Sequence, residues 1–492
     1  MLVEDGSVIF GEWLPDLPEY NNPGLVEAKN CIPVDESYTD FQELSPSGST
    51  LAATSNGAFA AVDSSGDPEI YAGTATQLYE RVGTAWTARS AVTLNAASYW
   101  RFAQYDNLVV ATDYNDDVRY RTIGAATNFL TLGSAPNARQ VGVINRFLVL
   151  GDIDQGAGAV PYAVQWSSVD DPLDFPTPGS STALANQAGQ QILQAEHGAV
   201  SAIAGGQFWG LIFQKRAITR FTYVGGSTVF QIDNYERSRG CWCPQSHIQV
   251  GNLSYFFAHD GVYVTDGQIV KPIGDAKVDR WLTNRLNQGV LERVTAGVDW
   301  ANKCIYWSFP TITDAPDTVL IYSMIRNRFA YAEQGAELIF QSFSEGTDMD
   351  SMDTLYPSLD DIGVSLDASV WQGGVPTIMG FSGKQLGVFT GSSLSATFET
   401  GEQDQNPFGR IFIRGARPLL TGNPTTVTVA LAVRDSQDNA SRTFGADTAR
   451  TSRTGVCDFR QQGKFISSRL KVAGGFDRVI GLGFDAEIGD QV

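Results

Sequence analysis

Histidine and cysteine, the residues on which most metal and redox sites depend, are scarce in this 492-residue chain. It has 3 histidines (His197, His247 and His259) and 5 scattered cysteines, with no spacing that completes a tetrahedral zinc set. Cys241 and Cys243 are closer together than the Cys-x-x-Cys spacing of zinc and redox motifs. We therefore predict no metal site, no cofactor and no catalytic residue.

We also expect no disulfide framework, no membrane span and no secretory signal. An odd number of scattered cysteines argues against a disulfide framework and favours synthesis in a reducing compartment. No apolar run approaches the ~20 residues that span a bilayer. The opening MLVEDGSVIFGEW carries acidic residues where a secretory signal is basic. We expect a soluble protein that is made in the cytoplasm and has no membrane-spanning segment.

Basic residues are outnumbered, with 34 Lys and Arg against 54 Asp and Glu, for a net charge of −20. Tight nucleic-acid binding depends on Lys and Arg neutralising phosphates, so an ordinary DNA-binding protein is excluded. The charge is uneven, because residues 401–492 hold 12 basic and 10 acidic side chains and the preceding 400 residues hold 22 and 44. Net charges of +2 and −22 indicate two bodies in different surroundings.

Aromatic residues (11%) and glycines (50) are abundant in the sequence, a composition typical of pleated sheets and tight turns. A turn pair followed by a short strand recurs, as at Asp106-Asn107, Asn145-Arg146, Gly251-Asn252 and Asn302-Lys303. Most copies lie roughly 40 to 60 residues apart, near the ~40–50 residues of a four-stranded propeller blade. We predict an all-β irregular propeller of about six blades, with one more if the chain ends share a blade. Two stacked sandwiches are the alternative.

Composition divides the chain into three segments. Residues 1–44 are predicted to be an N-terminal arm or platform segment, irregular because FGEWLPDLPEYNNPGL is rich in Pro and Asn. Residues 45–392 are the propeller-like body, with one helix that Asp275 would cap over AKVDRWLTNRL. Residues 393–492 alternate apolar and polar positions and are predicted to form an antiparallel β domain.

An acidic insertion, 345–367, interrupts the body. It does not match a calcium-binding EF-hand loop, because Asp353 stands where Gly is needed and Leu359 where the bidentate Glu belongs. Paired carboxylates would suit a glycosidase, but no local spacing supports one. The insertion is therefore interpreted as a solvated loop or as a loop facing a channel or a partner. Its acidic residues are Glu345, Asp348, Asp350, Asp353, Asp360, Asp361 and Asp367.

Three stretches, taken in order, resemble the tail-hub or nozzle proteins of short-tailed bacteriophages (podoviruses), also called DNA-stabilisation proteins. The first is the opening FGEWLPDLPEYNNPGLVEAKNCIPVDESYTDF. The second is the central run from Gly205 to Leu282, with its DGVYVTDG hairpin. The third runs from FGRIFIRGARPLL to RVIGLGF. The resemblance lies in the order of these stretches rather than in one diagnostic motif.

The resemblance implies a non-enzymatic structural protein of the virion tail, assembled in the cytoplasm of a bacterial host. It implies a ring, as a hexamer, below the portal and adaptor rings, with the propeller forming the wall of the DNA exit channel. It also implies contacts with the head-to-tail adaptor and with tail fibres or spikes, and a role in retaining the genome before DNA ejection. Genomic double-stranded DNA would pass through without sequence-specific binding. The acidic insertion would face the lumen or a partner.

Two other functions fit a propeller of this kind. One is a carbohydrate-binding or carbohydrate-cleaving propeller, such as a receptor-binding protein or a depolymerase, which would need two carboxylates poised on one face. The other is a generic propeller scaffold for protein interactions, although such repeat arrays are usually more regular.

Overall fold

The computed structural model describes residues 7–154, 156, 158–226, 228–344, 374–404, 410–436 and 442–488. This part of the chain is almost entirely β, as the sequence predicts. Its helices are short: α1 (Ser181–Ala185), α2 (Asp279–Arg285) and the 3-10 turns Ala195–His197, Pro244–Ser246 and Gln288–Arg293. Among these residues no helix is long and apolar enough to cross a membrane.

The N-terminal segment forms short strands rather than the irregular arm expected from its composition. They are β1 (Ser7–Ile9), β2 (Leu25–Lys29), β3 (Cys31–Val34), β4 (Ser37–Asp40) and β5 (Gln42–Pro46). Pro15, Pro18 and Pro23 are confined to the turns between β1 and β2. There the side-chain oxygen of Asn22 accepts the Gly24 N–H at 2.9 Å, which fixes the turn into β2. The irregular composition therefore describes the turns and not the strands on either side.

The first three blades are antiparallel four-stranded sheets that follow one another along the chain. Blade 1 contains β6 (Gly57–Val62), β7 (Pro68–Gly73), β8 (Leu78–Val82) and β9 (Ala85–Ala88). Blade 2 contains β10 (Arg101–Tyr105), β11 (Leu108–Thr112), β12 (Arg119–Thr122) and β13 (Leu130–Thr131). Blade 3 contains β14 (Asn137–Ile144), β15 (Phe147–Asp154), β16 (Ala159–Trp166) and β17 (Gly189–Ile192).

The next three blades repeat this pattern. Blade 4 contains β18 (Val200–Ala204), β19 (Trp209–Gln214), β20 (Ile218–Tyr223) and β21 (Phe230–Glu236). Blade 5 contains β22 (Ile248–Val250), β23 (Leu253–Ala258), β24 (Gly261–Thr265) and β25 (Val270–Pro272). Blade 6 contains β26 (Thr295–Asp299), β27 (Cys304–Phe309), β28 (Thr318–Ser323) and β29 (Arg328–Ala332). The predicted turn residues Asp106, Asn145 and Lys303 adopt positive φ (48°, 54° and 56°) in the first hairpins of blades 2, 3 and 6.

Blade 7 is completed by a strand from the other end of the chain. It contains β30 (Leu338–Phe343), β31 (Pro376–Ser382) and β32 (Gln385–Ser393), and β5 pairs antiparallel with β32 as its outer strand. In the described ranges, six four-stranded sheets and the β26–β29 unit make seven blades. The sequence predicts about six blades, with one more if the two chain ends share a blade. Blade 7 is that shared blade.

The blades close into a ring through a series of apolar clusters, one at each junction. The clusters join blades 1 and 2, 2 and 3, 3 and 4, 4 and 5, 5 and 6, 6 and 7, and 7 and 1. The first strands also contact one another from β22 through β26, β30, β6, β10 and β14 to β18. The first strands therefore surround the propeller axis, as in other propellers.

The remaining strands form a C-terminal β domain that both ends of the chain build together. They are β33 (Ala396–Thr400), β34 (Gln403–Asp404), β35 (Ile411–Gly422), β36 (Thr426–Arg434), β37 (Thr448–Ala449), β38 (Cys457–Gly463), β39 (Phe465–Ala473) and β40 (Phe476–Ile488). One sheet has the order β3-β4-β40-β35-β38, with β1 on β40, and the other contains β2-β33-β39-β36-β37. β2 pairs with β29, which makes the second sheet continuous with blade 6.

The predicted helix is present, but its cap is different. α2 begins at Asp279, and no side chain of its own segment caps it. The carboxylate of Asp16 instead accepts the N–H groups of Arg280 and Trp281, both at 2.8 Å. The N-terminal segment is thereby tied to the loop that leads into blade 6, a contact that local sequence could not indicate.

Candidate functional site

The acidic insertion named from the sequence lies outside the described residues. This applies to Glu345, Asp348, Asp350, Asp353, Asp360, Asp361 and Asp367. Its described neighbours are Ser344 and Gly374, where the Gly374 N–H donates to the Ser344 carbonyl at 2.8 Å. They place the insertion between the first and second strands of blade 7.

The propeller has two ends, which we name by their loops. The hairpin face carries the loops that join strands one and two, and strands three and four, of each blade. The crossover face carries the loops that join strands two and three and those that lead from one blade to the next. The ends of the acidic insertion therefore lie on the hairpin face.

Charge is divided around the hairpin face. In blades 1 to 3 its loops are acidic, with Arg146 paired to one of the carboxylates. The acidic residues there are Asp63, Asp67, Asp106, Asp170, Asp171 and Asp174. In blades 4 and 5 the corresponding loops (205–208, 224–229, 251–252 and 266–269) contain a single charged residue, Asp266.

Blades 4 and 5 expose apolar side chains on this face where charge is scarce. Phe208 is 70% exposed, Val224 53%, Leu253 40% and Ile269 55%. Exposed apolar residues with few charges around them are typical of the centre of a protein–protein contact. We call these four residues the apolar sector.

The histidines do not come together. His197 is buried beside Gln194, and His259 lies on the second-to-third-strand loop of blade 5. His247 packs against Phe213 with ring centroids 4.9 Å apart, and burial, with the nearby Arg101, lowers its pKa to about 3. All five cysteines are free and buried, and Cys241 contacts the Cys243 carbonyl. Within the described ranges no group of three His, Cys, Asp or Glu side chains is arranged to hold a metal ion.

A cleft of about 630 Å³ lies between blade 5, α2 and the N-terminal segment, and acidic residues line much of it. The carboxylate of Asp279 accepts the Val262 N–H at 2.9 Å and packs against Gly261 and Gly274, where a Cβ would collide with it. Burial raises the pKa of Asp279 to about 7, helped by the nearby Asp16. Sequence reasoning missed this residue because its neighbours come from three separate segments.

The raised pKa of Asp279 should make the stability of the fold depend on pH. Its pKa is raised from 3.8 to about 7, so between these values the folded chain binds more protons than the unfolded chain. The contribution of Asp279 is therefore fully present below about pH 4 and is lost as the pH rises through 7. Thermal unfolding from pH 4 to 8 should show Asp279→Asn becoming more stable relative to wild type as the pH rises.

Asp266 gives the matched control for this measurement. The N–H groups of Ile269 and Gln268 lower the pKa of Asp266, so its contribution is present at neutral pH and is lost as the pH falls. Asp266→Asn should therefore become more thermally stable relative to wild type as the pH falls toward 4, the opposite of the trend for Asp279→Asn. A stability difference for Asp279→Asn that stays constant from pH 4 to 8 would contradict the prediction.

A second cavity, of about 270 Å³, lies at the crossover-face end of the propeller axis, where β10, β14 and β18 begin. Arg139 on β14 pairs with Asp152 at 3.1 Å and lies over the Tyr114 ring at 4.6 Å. Burial raises the pKa of Asp152 to about 6 against the opposing effect of Arg139. The buried Gln140 amide donates to the Tyr99 hydroxyl at 3.4 Å. This cavity combines charged and neutral hydrogen-bonding groups from several blades.

Comparison with known proteins assigns this chain to no family. No family model matches it, and no curated protein matches it. One similar solved structure is an extracellular domain from B. thetaiotaomicron, with 9% identity, coverage of 86% of this chain and 48% of that chain, and a TM-score of 0.40. This chain thus spans about half the length of that protein. Another is the β-propeller domain of Cps50 (Swd1) from Myceliophteria thermophila, with 9% identity, coverage of 61% and 92%, and a TM-score of 0.37. Neither similarity indicates a function for this chain.

Proposed function

We propose that this propeller protein is a non-enzymatic structural subunit of the tail nozzle of a short-tailed bacteriophage. The observation that carries the proposal is the division of charge, −22 in the first 400 residues and +2 in the remainder. The ordered resemblance of the three stretches to nozzle proteins supports it. In this function the acidic body faces DNA and the nearly neutral domain contacts other tail proteins.

The acidic loops of the hairpin face suit a conduit for DNA. A protein grips DNA by neutralising phosphates with Lys and Arg, and each such contact would slow passage. Asp63, Asp67 and Asp106 present the opposite charge, and the described neighbours of the acidic insertion, Ser344 and Gly374, lie on the same face. Genomic DNA would slide past this surface without sequence-specific binding.

The apolar sector suits assembly. It interrupts the acidic face at blades 4 and 5, and an apolar surface with few charges can be buried against another protein with little desolvation of ions. The proposed ring is a hexamer. In it, this sector contacts a neighbouring copy, the head-to-tail adaptor, or a fibre or spike. The protein would then be located in the virion tail after assembly in the host cytoplasm.

Immunogold electron microscopy of virions, with an antibody against this chain, tests the proposal. Gold is expected at the neck or tail. In virions whose chain is supplied in trans, Phe208→Asp should reduce labelling at least tenfold because the new charge would be buried in the contact. Ile312→Asp, at a side chain 92% exposed on the crossover face, is the matched control and should be incorporated normally.

Two outcomes would contradict this function. One is unlabelled virions with the protein free in solution. The other is turnover of surface glycans by the purified protein that Asp279→Asn abolishes, which would favour a carbohydrate-cleaving propeller. Normal incorporation of Phe208→Asp would exclude the apolar sector as the contact while leaving the tail location to be judged by the wild-type labelling.

A further inference from the structure

The axial cavity of about 270 Å³ is lined in part by buried polar side chains, among them Tyr99, Gln140 and Ser201. The Gln140 amide donates to the Tyr99 hydroxyl at 3.4 Å, and the Ser201 hydroxyl donates to the Phe213 carbonyl at 3.2 Å. The Tyr99 hydroxyl has no acceptor for its own proton among the residues that the structure describes. Buried polar groups are normally hydrogen-bonded, so this proton is available to a ligand.

Arg101 joins two parts of the cavity wall without lining the cavity itself. It is the first residue of β10 in blade 2, and its Nη2 donates to the carbonyl of Pro244, in the 3-10 turn that leads into blade 5. Its Cζ lies 5.9 Å from the centroid of the Tyr99 ring. Because Tyr99 and Pro244 both line the cavity, this contact fixes the wall before a ligand enters, which lowers the cost of binding.

The charged residues that line the cavity balance one another. They are Arg139 and Lys215 against Asp152 and Glu292. Arg139 pairs with Asp152 at 3.1 Å, whereas Lys215 and Glu292 have no ion pair within the described ranges. A lone anion or a lone cation in the cavity would leave one of these two residues without a partner. A ligand that carries both charges would satisfy both.

The two unpaired charges come from different parts of the ring. Lys215 follows β19 in blade 4, and Glu292 lies in the 3-10 turn that precedes blade 6. Burial raises the pKa of Asp152 against the opposing effects of Arg139 and Lys215, so Lys215 lies near that pair in blade 3. Burial also raises the pKa of the Cys243 thiol, and the negative charge of Glu292 contributes to the rise. The cavity therefore has a positive side near blades 3 and 4 and a negative side near blade 6.

The cavity volume indicates the size of the ligand. A water molecule occupies about 30 Å³ of liquid volume, so a cavity of about 270 Å³ has room for about nine water molecules. This volume suits a compact polar molecule of several heavy atoms.

We propose that the axial cavity at the crossover face binds a small zwitterion of the amino-acid class. Lys215 and the Tyr99 hydroxyl hold its carboxylate, and Glu292 holds its ammonium group, through charge-assisted hydrogen bonds. Arg139 stays paired with Asp152 and so keeps that carboxylate from competing for Lys215. This inference is independent of the nozzle function, since the hairpin face and the apolar sector take no part in it.

Isothermal titration of the full chain at neutral pH and constant ionic strength tests the site. The probes are glycine, whose two charges are close together, and γ-aminobutyrate, whose charges are farther apart. Saturable binding near one equivalent is expected for at least one of them. Acetate and methylammonium each carry only one of the two charges and should bind roughly tenfold more weakly, because each leaves Lys215 or Glu292 without a partner.

Lys215→Gln and Glu292→Gln should each weaken binding of the zwitterion roughly tenfold. Both side chains are exposed, so these variants should fold as wild type does. Arg216→Gln and Arg293→Gln, at exposed neighbours that do not line the cavity, are the matched controls and should bind as wild type. The proposal is overturned if neither zwitterion binds wild type saturably, or if acetate or methylammonium binds as tightly as the zwitterions. Unchanged affinity in both cavity variants, or equal weakening by the controls, would also overturn it.

Discussion

Replacing Arg121 with methionine is expected to lower the free energy of unfolding by about 3–5 kcal/mol, the cost of breaking a buried ion pair from one side. Arg121 on β12 is 1% exposed and joins blade 2 to blade 1. Its Nη2 donates to Glu80 at 2.9 Å and its Nη1 to the Tyr71 hydroxyl at 2.9 Å. Without the guanidinium, Glu80 keeps its pairing with Arg89 but loses its buried partner.

Urea unfolding of the full chain, with the m-value checked against wild type, measures this loss. Arg146→Met is the matched control, because the Arg146–Asp170 pair is more than half exposed and such pairs contribute at most about 1 kcal/mol. The double variant Arg121→Met with Glu80→Gln should lose less stability than the sum of the two single variants, since Arg121 and Glu80 interact directly at 2.9 Å. An Arg121→Met variant no less stable than Arg146→Met would show that the pair does not hold blades 1 and 2 together.

The turns were the most predictable part of the fold. Asp106-Asn107 and Asn145-Arg146 each place a residue that tolerates positive φ between two strands. Such hairpins depend on neighbouring residues alone, so the sequence predicts them blade by blade. The periodicity of these hairpins is what identified a propeller.

Long-range pairings were not predictable in the same way. β5 pairs with β32 through Leu44 and Phe389, and the strand that completes blade 7 thus comes from the opposite end of the chain. β2, β3 and β4 are short strands whose buried faces are defined only by the C-terminal sheets they join. A single sequence carries no local signal for these partners, which is why the N-terminal segment was interpreted as irregular.

The candidate sites were less predictable still. Arg101 and Pro244 are 143 positions apart, and Asp16 caps α2 from 264 positions away. Neither pair has a motif, because each role depends on a contact that only the closed ring creates. The acidic insertion differs from these contacts, because its charge is evident from the sequence. What it contacts is not.

Replacing Trp13 with alanine is expected to lower the free energy of unfolding by about 3–5 kcal/mol, the usual cost of removing a large buried aromatic side chain. Trp13 is completely buried and packs edge-on against Trp281 of α2, with ring centroids 4.8 Å apart. It also lies 5.2 Å from the Tyr331 ring of blade 6, and its indole N–H donates to the Val26 carbonyl at 3.1 Å. Trp13 therefore joins the N-terminal segment to the propeller.

Hydrogen exchange distinguishes loss of this joint from general weakening. If the joint holds β5 in place, Trp13→Ala should speed exchange in β5 and β32 more than in β14 and β15, which lie in the remote blade 3. Trp300→Ala, at a tryptophan 40% exposed on the hairpin face, should change stability by no more than about 0.5 kcal/mol. Equal acceleration in blades 3 and 7 would show that Trp13 adds buried area only. Selective acceleration in blade 7 would mean that the C-terminal domain, through the N-terminal segment, keeps the propeller ring closed.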